Sequence, residues 1–318
     1  MPALWRTLVA RLAGGEDLVL VTVARTDGSV PREVGAAMLV GAGDIVGTIG
    51  GGHLEWEAAE TARTLLDGGP ARQLQKQNLA ARLGQCCGGV VWLVYERIRA
   101  SALADWLPLA AALDSGHGCV RRVSRGRASA WTTDDTAAPA DAGVLIAGEE
   151  WHFSQFLPPA AAPLLLFGAG HVGEALVRVL APTGWPLHWI DTREQMPAFE
   201  HPWPAGVKIE STDAPEECIA AAPGGAWYLV MTHRHDLDLL LAEHILARAD
   251  FAYFGMIGSR SKRASFVRRL AQRGLDATDM ICPVGVPGIH AKDPASIAIA
   301  IAAQLLLRRE PAATREEA

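Results

Sequence analysis

Apolar and polar positions alternate along this chain in two different rhythms. In the first, apolar residues at helical spacing predict a helix over 4–13 that stops at Gly14-Gly15. A run that is apolar but for Thr22 predicts a buried strand over 18–23. Two short strands over 36–40 and 45–49 are joined by Gly41-Ala42-Gly43-Asp44, a hairpin connection. A helix is predicted over 53–66, with Glu55 and Glu57 in its first turn where the helix dipole favours acids. Residues 73–83 are polar and carry no pattern. They lead to a buried strand over 90–96, then to a helix over 101–113 and strand-like pieces near Val120 and over 144–147. Small polar residues make 132–142 a surface loop.

From Leu164 the rhythm becomes strand, helix, strand, helix, the pattern of a parallel sheet with helices on both faces. Strands are predicted over 164–167, 187–190, 207–210, 227–232 and 251–257, with helices over 174–180 and 236–249. Asp293-Pro294 reads as an N-cap acid followed by proline at the first helical position. The helix it opens is apolar on nearly every side to Leu307, which predicts burial, and the tail after Arg309 should fray. Prolines keep 157–163 extended. The expected organisation is therefore α/β: a small N-terminal α/β domain over 1–157, a linker over 158–163, and a Rossmann-like doubly wound parallel-sheet domain over 164–318.

Composition narrows the function classes. A chain of 318 residues with a net charge of -6 has no basic excess for nucleic acid. No apolar run reaches the roughly 20 residues a bilayer span needs. No secretory signal is evident at the N-terminus. Five cysteines, two of them adjacent, do not make a disulfide framework, and free thiols suit a reducing cytoplasm.

Chemistry concentrates in glycine-rich loops. Gly168-Ala169-Gly170-His171-Val172-Gly173 follows an apolar strand and opens a helix, and Asp191 ends the next strand at the distance expected of a ribose partner. An acid there favours NAD over NADP, if either binds; His171 meets a phosphate or is merely solvated. Gly258-Ser259-Arg260-Ser261-Lys262-Arg263 repeats the idea, either as an anion site at a helix start or as a solvated basic face. Thr232-His233-Arg234-His235-Asp236 reads as a loop and helix cap rather than a metal site, because no third ligand follows at the expected spacing. In the first domain, Gly50-Gly51-Gly52-His53 is a close-approach loop suited to an anion or a polar ring system. Arg32 stands on a stiff turn beside Pro31. Gly84-Gln85-Cys86-Cys87-Gly88-Gly89 places two thiols between glycines, as either small packing residues or soft ligands.

These motifs, in order from Gly28-Ser29-Val30-Pro31-Arg32 through Gly47-Thr48-Ile49-Gly50-Gly51-Gly52-His53-Leu54-Glu55, the dithiol loop, the glycine loop at 168–173, Phe254 to Arg260 and Cys282-Pro283-Val284-Gly285, resemble the XdhC/CoxI family over nearly the whole chain. The resemblance implies a molybdenum-cofactor chaperone without turnover of its own. Such a protein binds the Mo-molybdopterin group, protects it while molybdenum receives a terminal sulfur, and hands it to apo-xanthine dehydrogenase. A cysteine desulfurase is the other implied partner, and a homodimer the usual assembly. The family's Cys-Gly-Gly cysteine corresponds to Cys87, the implied metal ligand, with Cys86 a supporting neighbour and Gln85, Gly88 and Gly89 around them. The alternative is an NAD(P)-dependent oxidoreductase built on the Rossmann half with the dithiol as redox partner. A thiol-based sensor ranks last, because vicinal disulfides are strained.

Overall fold

The computed structural model describes residues 2–79, 88–115, 117–133, 143, 145–146, 148–159, 161–204 and 206–309. The chain divides into two compact units, Met1–Ala160 and Ala161–Ala318. Among the described residues, no helix is long and apolar enough to cross a membrane.

The first unit runs α1 (Pro2–Ala13), β1 (Leu18–Asp27), β2 (Ala37–Val40), β3 (Ile45–Gly47), α2 (Gly52–Leu66), β4 (Arg72–Asn78) and β5 (Val90–Ile98). It continues with α3 (Leu103–Asp114), β6 (Cys119–Ser124), β7 (Ala130–Thr133), β8 (Leu145–Ile146) and β9 (His152–Leu157). One antiparallel sheet is ordered β3-β2-β1-β5-β4 and a second β7-β6-β9-β8. Successive side chains on a strand point to opposite faces, and here both faces of β1 are covered. Val19, Val21 and Val23 pack under Leu54, Ala58 and Leu65 of α2, while Leu18 and Leu20 pack with Leu8 and Leu12 of α1 and Leu109 of α3. That is why β1 is apolar over 18–23 at every position but Thr22.

Three strands of this unit escape a hydropathy reading, and one of them, β7, takes residues 132 and 133 from the stretch expected as a surface loop by pairing them with Val120 and Cys119 of β6. Residues 73–83 hold no apolar alternation, yet β4 occupies most of that stretch as an edge strand, pairing Gln77 with Val91 and Asn78 with Val90. An edge strand with a solvated face needs no apolar period. β9 is hidden differently: Ser154 and Gln155 are buried, and the Gln155 amide donates to the Gly35 carbonyl at 3.1 Å.

Gln155 belongs to an ionic network that joins the two sheets. Arg121 of β6 is fully buried, with Nη2 2.7 Å from Glu96 Oε2 of β5. Its Nη1 donates to Thr22 of β1 and Gln155 of β9, and its Nε donates to Ser129, whose own amide and hydroxyl donate to Glu96. A buried pair satisfied this fully is costly to break from one side only.

The second unit runs β10 (Leu164–Phe167), α4 (His171–Leu180), β11 (Leu187–Asp191), β12 (Val207–Ser211), α5 (Pro215–Ala221), β13 (Trp227–Val230) and α6 (His235–Arg248). β14 (Tyr253–Met256), α7 (Arg260–Ala271), β15 (Met280–Ile281) and α8 (Pro294–Arg309) complete it. Its six strands are all parallel, in the order β12-β11-β10-β13-β14-β15. This is the doubly wound Rossmann arrangement, and the chain reverses its winding between β10 and β13, where open α/β sheets bind ligands. Asp293 caps α8 through the Ser296 amide at 2.9 Å. The helix itself is less buried than its composition predicts. Ala298, Ile301 and Leu305 pack inward, but Ile299 and Leu307 are 55% and 54% exposed, because one face alone meets the core.

Arg121→Ala should lower the stability of the first unit by about 3–5 kcal/mol, measured by chemical denaturation, since it strands the Glu96 carboxylate in the interior. Replacing both partners with apolar residues of similar volume should recover most of that loss. A loss under about 1 kcal/mol for the single variant would contradict the structural role given to the pair.

Candidate functional site

At the C-terminal end of β10 the chain turns through Gly168-Ala169-Gly170 into α4, and each glycine of the motif has its own reason. Gly168 has φ 118° and lies against the Met231 carbonyl at the end of β13, where an added Cβ would collide. Gly173 presses α4 onto the Gly168 carbonyl, leaving equally little room. Gly170 faces open space. Two glycines close the turn and the third leaves bare backbone beside an N-terminus that no side chain caps. The buried Trp189 indole donates to the Gly168 carbonyl at 3.0 Å and is boxed edge-on by Phe199 and Trp203, which holds the loop in place. Nothing in the glycine spacing announces that tryptophan.

Beside the loop lies a cleft of about 300 Å³ lined by Gly170, His171, Gly173, Arg193, Thr232 and His233. His171 and His233 are exposed. Asp191 is buried and its carboxylate is fully engaged. Oδ1 accepts from the Arg193 amide at 3.0 Å and Arg193 Nε at 2.8 Å; Oδ2 accepts from the Ala169 amide at 2.6 Å and Arg193 Nη2 at 2.8 Å. Burial alone would push this carboxyl up, but the hydrogen bonds from the Arg193 side chain and from the Ala169 and Arg193 amides outweigh it and hold it below the usual carboxylate range.

The neighbouring strand ends are tied by a second buried pair. Asp238 Oδ1 accepts from the Thr232 hydroxyl at 2.7 Å and from its amide, while Oδ2 lies 2.6 Å from Lys262 Nζ. Lys262 also donates to the Ile257 carbonyl at 2.9 Å. The segment after β13 is thus a loop, as expected, but α6 starts after Arg234 without a side-chain cap, and His233 and His235 are exposed to solvent. Lys262 is committed to Asp238 rather than free for an anion. Ser259 caps α7 through the Lys262 amide at 3.1 Å, and Arg260 begins the exposed face of that helix.

In the first unit three motif loops meet at one end of the five-stranded sheet. The Gly89 amide donates to the Ser29 carbonyl at 3.0 Å, and an added Cβ at Gly89 would collide with the carbonyls of both Ser29 and Asp27. Gly50, at φ 129°, lies on the Pro31 ring. The turn at 28–32 therefore touches both the glycine loop at 48–52 and the start of β5. Gly51, Gly88 and Gly170 alike face open space. Gln85, Cys86 and Cys87 lie outside the described residues; the described chain resumes at Gly88.

The glycine loop here is partly filled from within. Glu55 Oε2 accepts from the Ile49 and Gly51 amides, both at 3.1 Å, and from the Thr48 hydroxyl. Gly51 gives α2 no side-chain cap, so the amides of Gly52 and His53 begin the helix uncapped. The His53 ring stacks on Trp56, 5.4 Å between centroids, with its Nε2 3.3 Å from Glu57. Trp56 is 58% exposed, a flat apolar surface absent from the candidates read from motifs and visible only as an aromatic residue near the start of a helix. Arg32 pairs with its neighbour Glu33 at 3.0 Å, which raises the guanidinium's pKa and lowers the carboxyl's.

One cluster of metal-ligand types stands apart from these loops. His188, Glu210 and Cys218 bring their ligand atoms within 4.8 Å of one another. Lys208 Nζ lies 2.7 Å from Glu210 Oε2 and helps hold that carboxyl down at about 2, while burial and then Glu210 push the Cys218 thiol up to about 11. An ammonium on the carboxylate and a protonated thiol make this an ion-pair group. The described cysteines, Cys119, Cys218 and Cys282, are free and buried.

Comparison with known proteins matches both halves of the chain. A sequence model of the XdhC and CoxI family matches residues 11–76, and one of the XdhC Rossmann domain matches residues 164–305. The chain is 24% identical to a Bacillus subtilis (strain 168) protein named as a probable xanthine dehydrogenase subunit, over 95% of this chain and 96% of that protein. It is 27% identical to "Uncharacterized protein YqeB" of Escherichia coli (strain K12) over 90% of its own length, and spans 42% of the length of that relative. The crystal structure of a xanthine dehydrogenase from Bacillus halodurans shares the fold, with a TM-score of 0.75 at 22% identity over 98% of this chain and 96% of that one.

Substitutions at the Rossmann loop should separate its glycines. Gly173→Ala should cost about 1–3 kcal/mol in thermal or chemical unfolding, because the methyl meets a backbone carbonyl that cannot yield. Gly170→Ala should cost less than about 0.5 kcal/mol; equal losses would contradict the packing assigned here. Asp191 makes a second test. Its folded pKa is lowered, so its contribution to stability is complete above the unfolded carboxyl value near ~3.9 and is lost as pH falls through the folded one. Asp191→Asn should flatten the acid limb of the stability profile, and an unchanged acid limb would contradict the assignment.

Proposed function

Because the chain belongs to the XdhC and CoxI family, we propose that it is an accessory protein of a xanthine dehydrogenase, acting as a chaperone for the molybdenum cofactor rather than as a catalyst. On this reading it binds the Mo-molybdopterin group, shelters it during sulfuration by a cysteine desulfurase, and passes it to the apo-dehydrogenase in the cytoplasm, as a homodimer. A curated relative matched from end to end carries xanthine dehydrogenase in its name.

The observation that carries this reading is the contact among the three loops of the first unit, through Gly50 on Pro31 and Gly89 on Ser29. It unites motifs that lie far apart in sequence. The donor chemistry of that end fits the cofactor. A thiolate at Cys87 is a soft ligand suited to molybdenum, and a Cβ on its neighbour Gly88 would meet open space. The uncapped amides of Gly52 and His53 at the start of α2 suit a terminal phosphate. The stacked His53–Trp56 pair presents a planar face to the pterin. Arg32 already has a partner in Glu33, and Glu55 holds the inner amides of the glycine loop; both serve to shape the loops more than to touch the ligand.

A second reading, an NAD(P)-dependent oxidoreductase, draws on the cleft beside Gly170. The two part company on a simple assay: a chaperone holds molybdenum cofactor without oxidising or reducing a nicotinamide.

Anaerobically purified protein should carry molybdenum cofactor close to one per chain, read by metal analysis and by mass spectrometry of the released pterin. Cys87→Ala should lose it, and Cys86→Ala should weaken it less. Full retention in the Cys86/Cys87 double alanine variant would overturn the proposal.

A further inference from the structure

An acid at the end of the second Rossmann strand ordinarily accepts the ribose hydroxyls of NAD. Asp191 occupies that place but has nothing left to accept with. Two carboxylate oxygens offer about four lone-pair positions, and here the Ala169 amide, the Arg193 amide, Arg193 Nε and Arg193 Nη2 fill them. A free ribose diol entering this corner would have to displace the guanidinium. The acid's work is inward and structural: it ties the first glycine turn to the start of the loop after β11.

The guanidinium it holds faces the other way. Arg193 has five N–H groups. Nε and one hydrogen of Nη2 reach Asp191, and the others have no partner among the described residues. Its side chain is 42% exposed against 3% for Asp191, and it lines the same cleft as Gly170 and His171. A planar cation fixed in two bonds by a buried carboxylate is a pre-organised fork for a phosphate. In the same cleft, the open backbone at Gly170 and the uncapped N-terminus of α4 suit a diphosphate.

We propose that this cleft binds a dinucleotide whose adenosine ribose carries a 2'-phosphate, an NADP-class ligand, with the pyrophosphate at Gly170 and Arg193 as the reader of the extra phosphate. The sequence alone points to NAD because Asp191 is legible in the motif spacing and its partner two residues later is not. The assignment concerns the second unit and does not depend on cofactor binding by the first.

Isothermal titration of the full chain with NADPH, NADH and 2'-AMP tests it, without molybdenum cofactor in the sample, so the result stands apart from the chaperone reading. NADPH should bind on the order of ten- to a hundredfold more tightly than NADH, the range expected for charge-assisted contacts to one phosphate. 2'-AMP should compete with NADPH. Arg193→Ala should erase the preference by weakening NADPH while leaving NADH equal or slightly tighter, since it frees Asp191 oxygens; Arg193→Lys should restore part of it. The ratio of the two affinities is a readout that a purely structural arginine would not move. Equal or tighter binding of NADH to the unaltered chain, no binding of either nucleotide at millimolar concentration, or a preference that survives Arg193→Ala would each overturn the proposal. The first two outcomes need no variant to fold.

Discussion

In the N-terminal unit one contact is backbone on backbone: Gly89 lies against the carbonyls of Ser29 and Asp27, with no room for a side chain. A side chain at that position would push β5 away from the end of β1, although β5 is the neighbour with which β1 shares its longest register, from Leu18 with Ile98 to Asp27 with Val90. Gly50, whose backbone lies on the Pro31 side-chain ring, is a second close approach. Together they bring three loops, far apart in sequence, to one end of a sheet. The chemistry proposed for this chain depends on that meeting as well as on the Cys87 thiol.

The Rossmann unit relies on the same device. Gly168 and Gly173 let strand, turn and helix approach to backbone distance, and Trp189 secures the result by a hydrogen bond that leaves no trace in the glycine motif. Around this loop every charge that could have served a ligand must first be asked what it already binds. Asp191 is held by Arg193, Lys262 by Asp238, and in the first unit Glu55 fills amides that would otherwise wait for an anion. What remains open after those commitments is smaller and better defined: the backbone at Gly170, the outward edge of Arg193, the start of α2 and the exposed ring of Trp56.

Much of this architecture is legible in the residues. The change of rhythm at Leu164 announces the parallel sheet, and the glycine motif with its trailing acid announces the turn and the end of β11. Asp293-Pro294 predicts the capped start of α8. The misses share a cause. β4 lies at a sheet edge and β9 buries polar groups, so neither shows apolar alternation; α8 is apolar all round yet finds a core on one face only. The occupancy of the site charges is invisible for a related reason. Motif spacing shows that an acid stands at 191, but which of its lone pairs are taken depends on how Thr192 and Arg193 turn after the strand ends, and that is a matter of geometry.

Under the proposed function, the loop end of the first unit supplies a thiolate, from Cys87, to a molybdenum centre. Molybdenum K-edge X-ray absorption of protein loaded anaerobically with the cofactor tests this most directly, because it counts sulfur scatterers at the metal. In Cys87→Ser, which unlike alanine keeps an oxygen donor for the metal, one sulfur fewer is expected at molybdenum than in the unaltered chain, with Cys86→Ser indistinguishable from the unaltered chain. Identical sulfur shells in the unaltered chain and Cys87→Ser would contradict it.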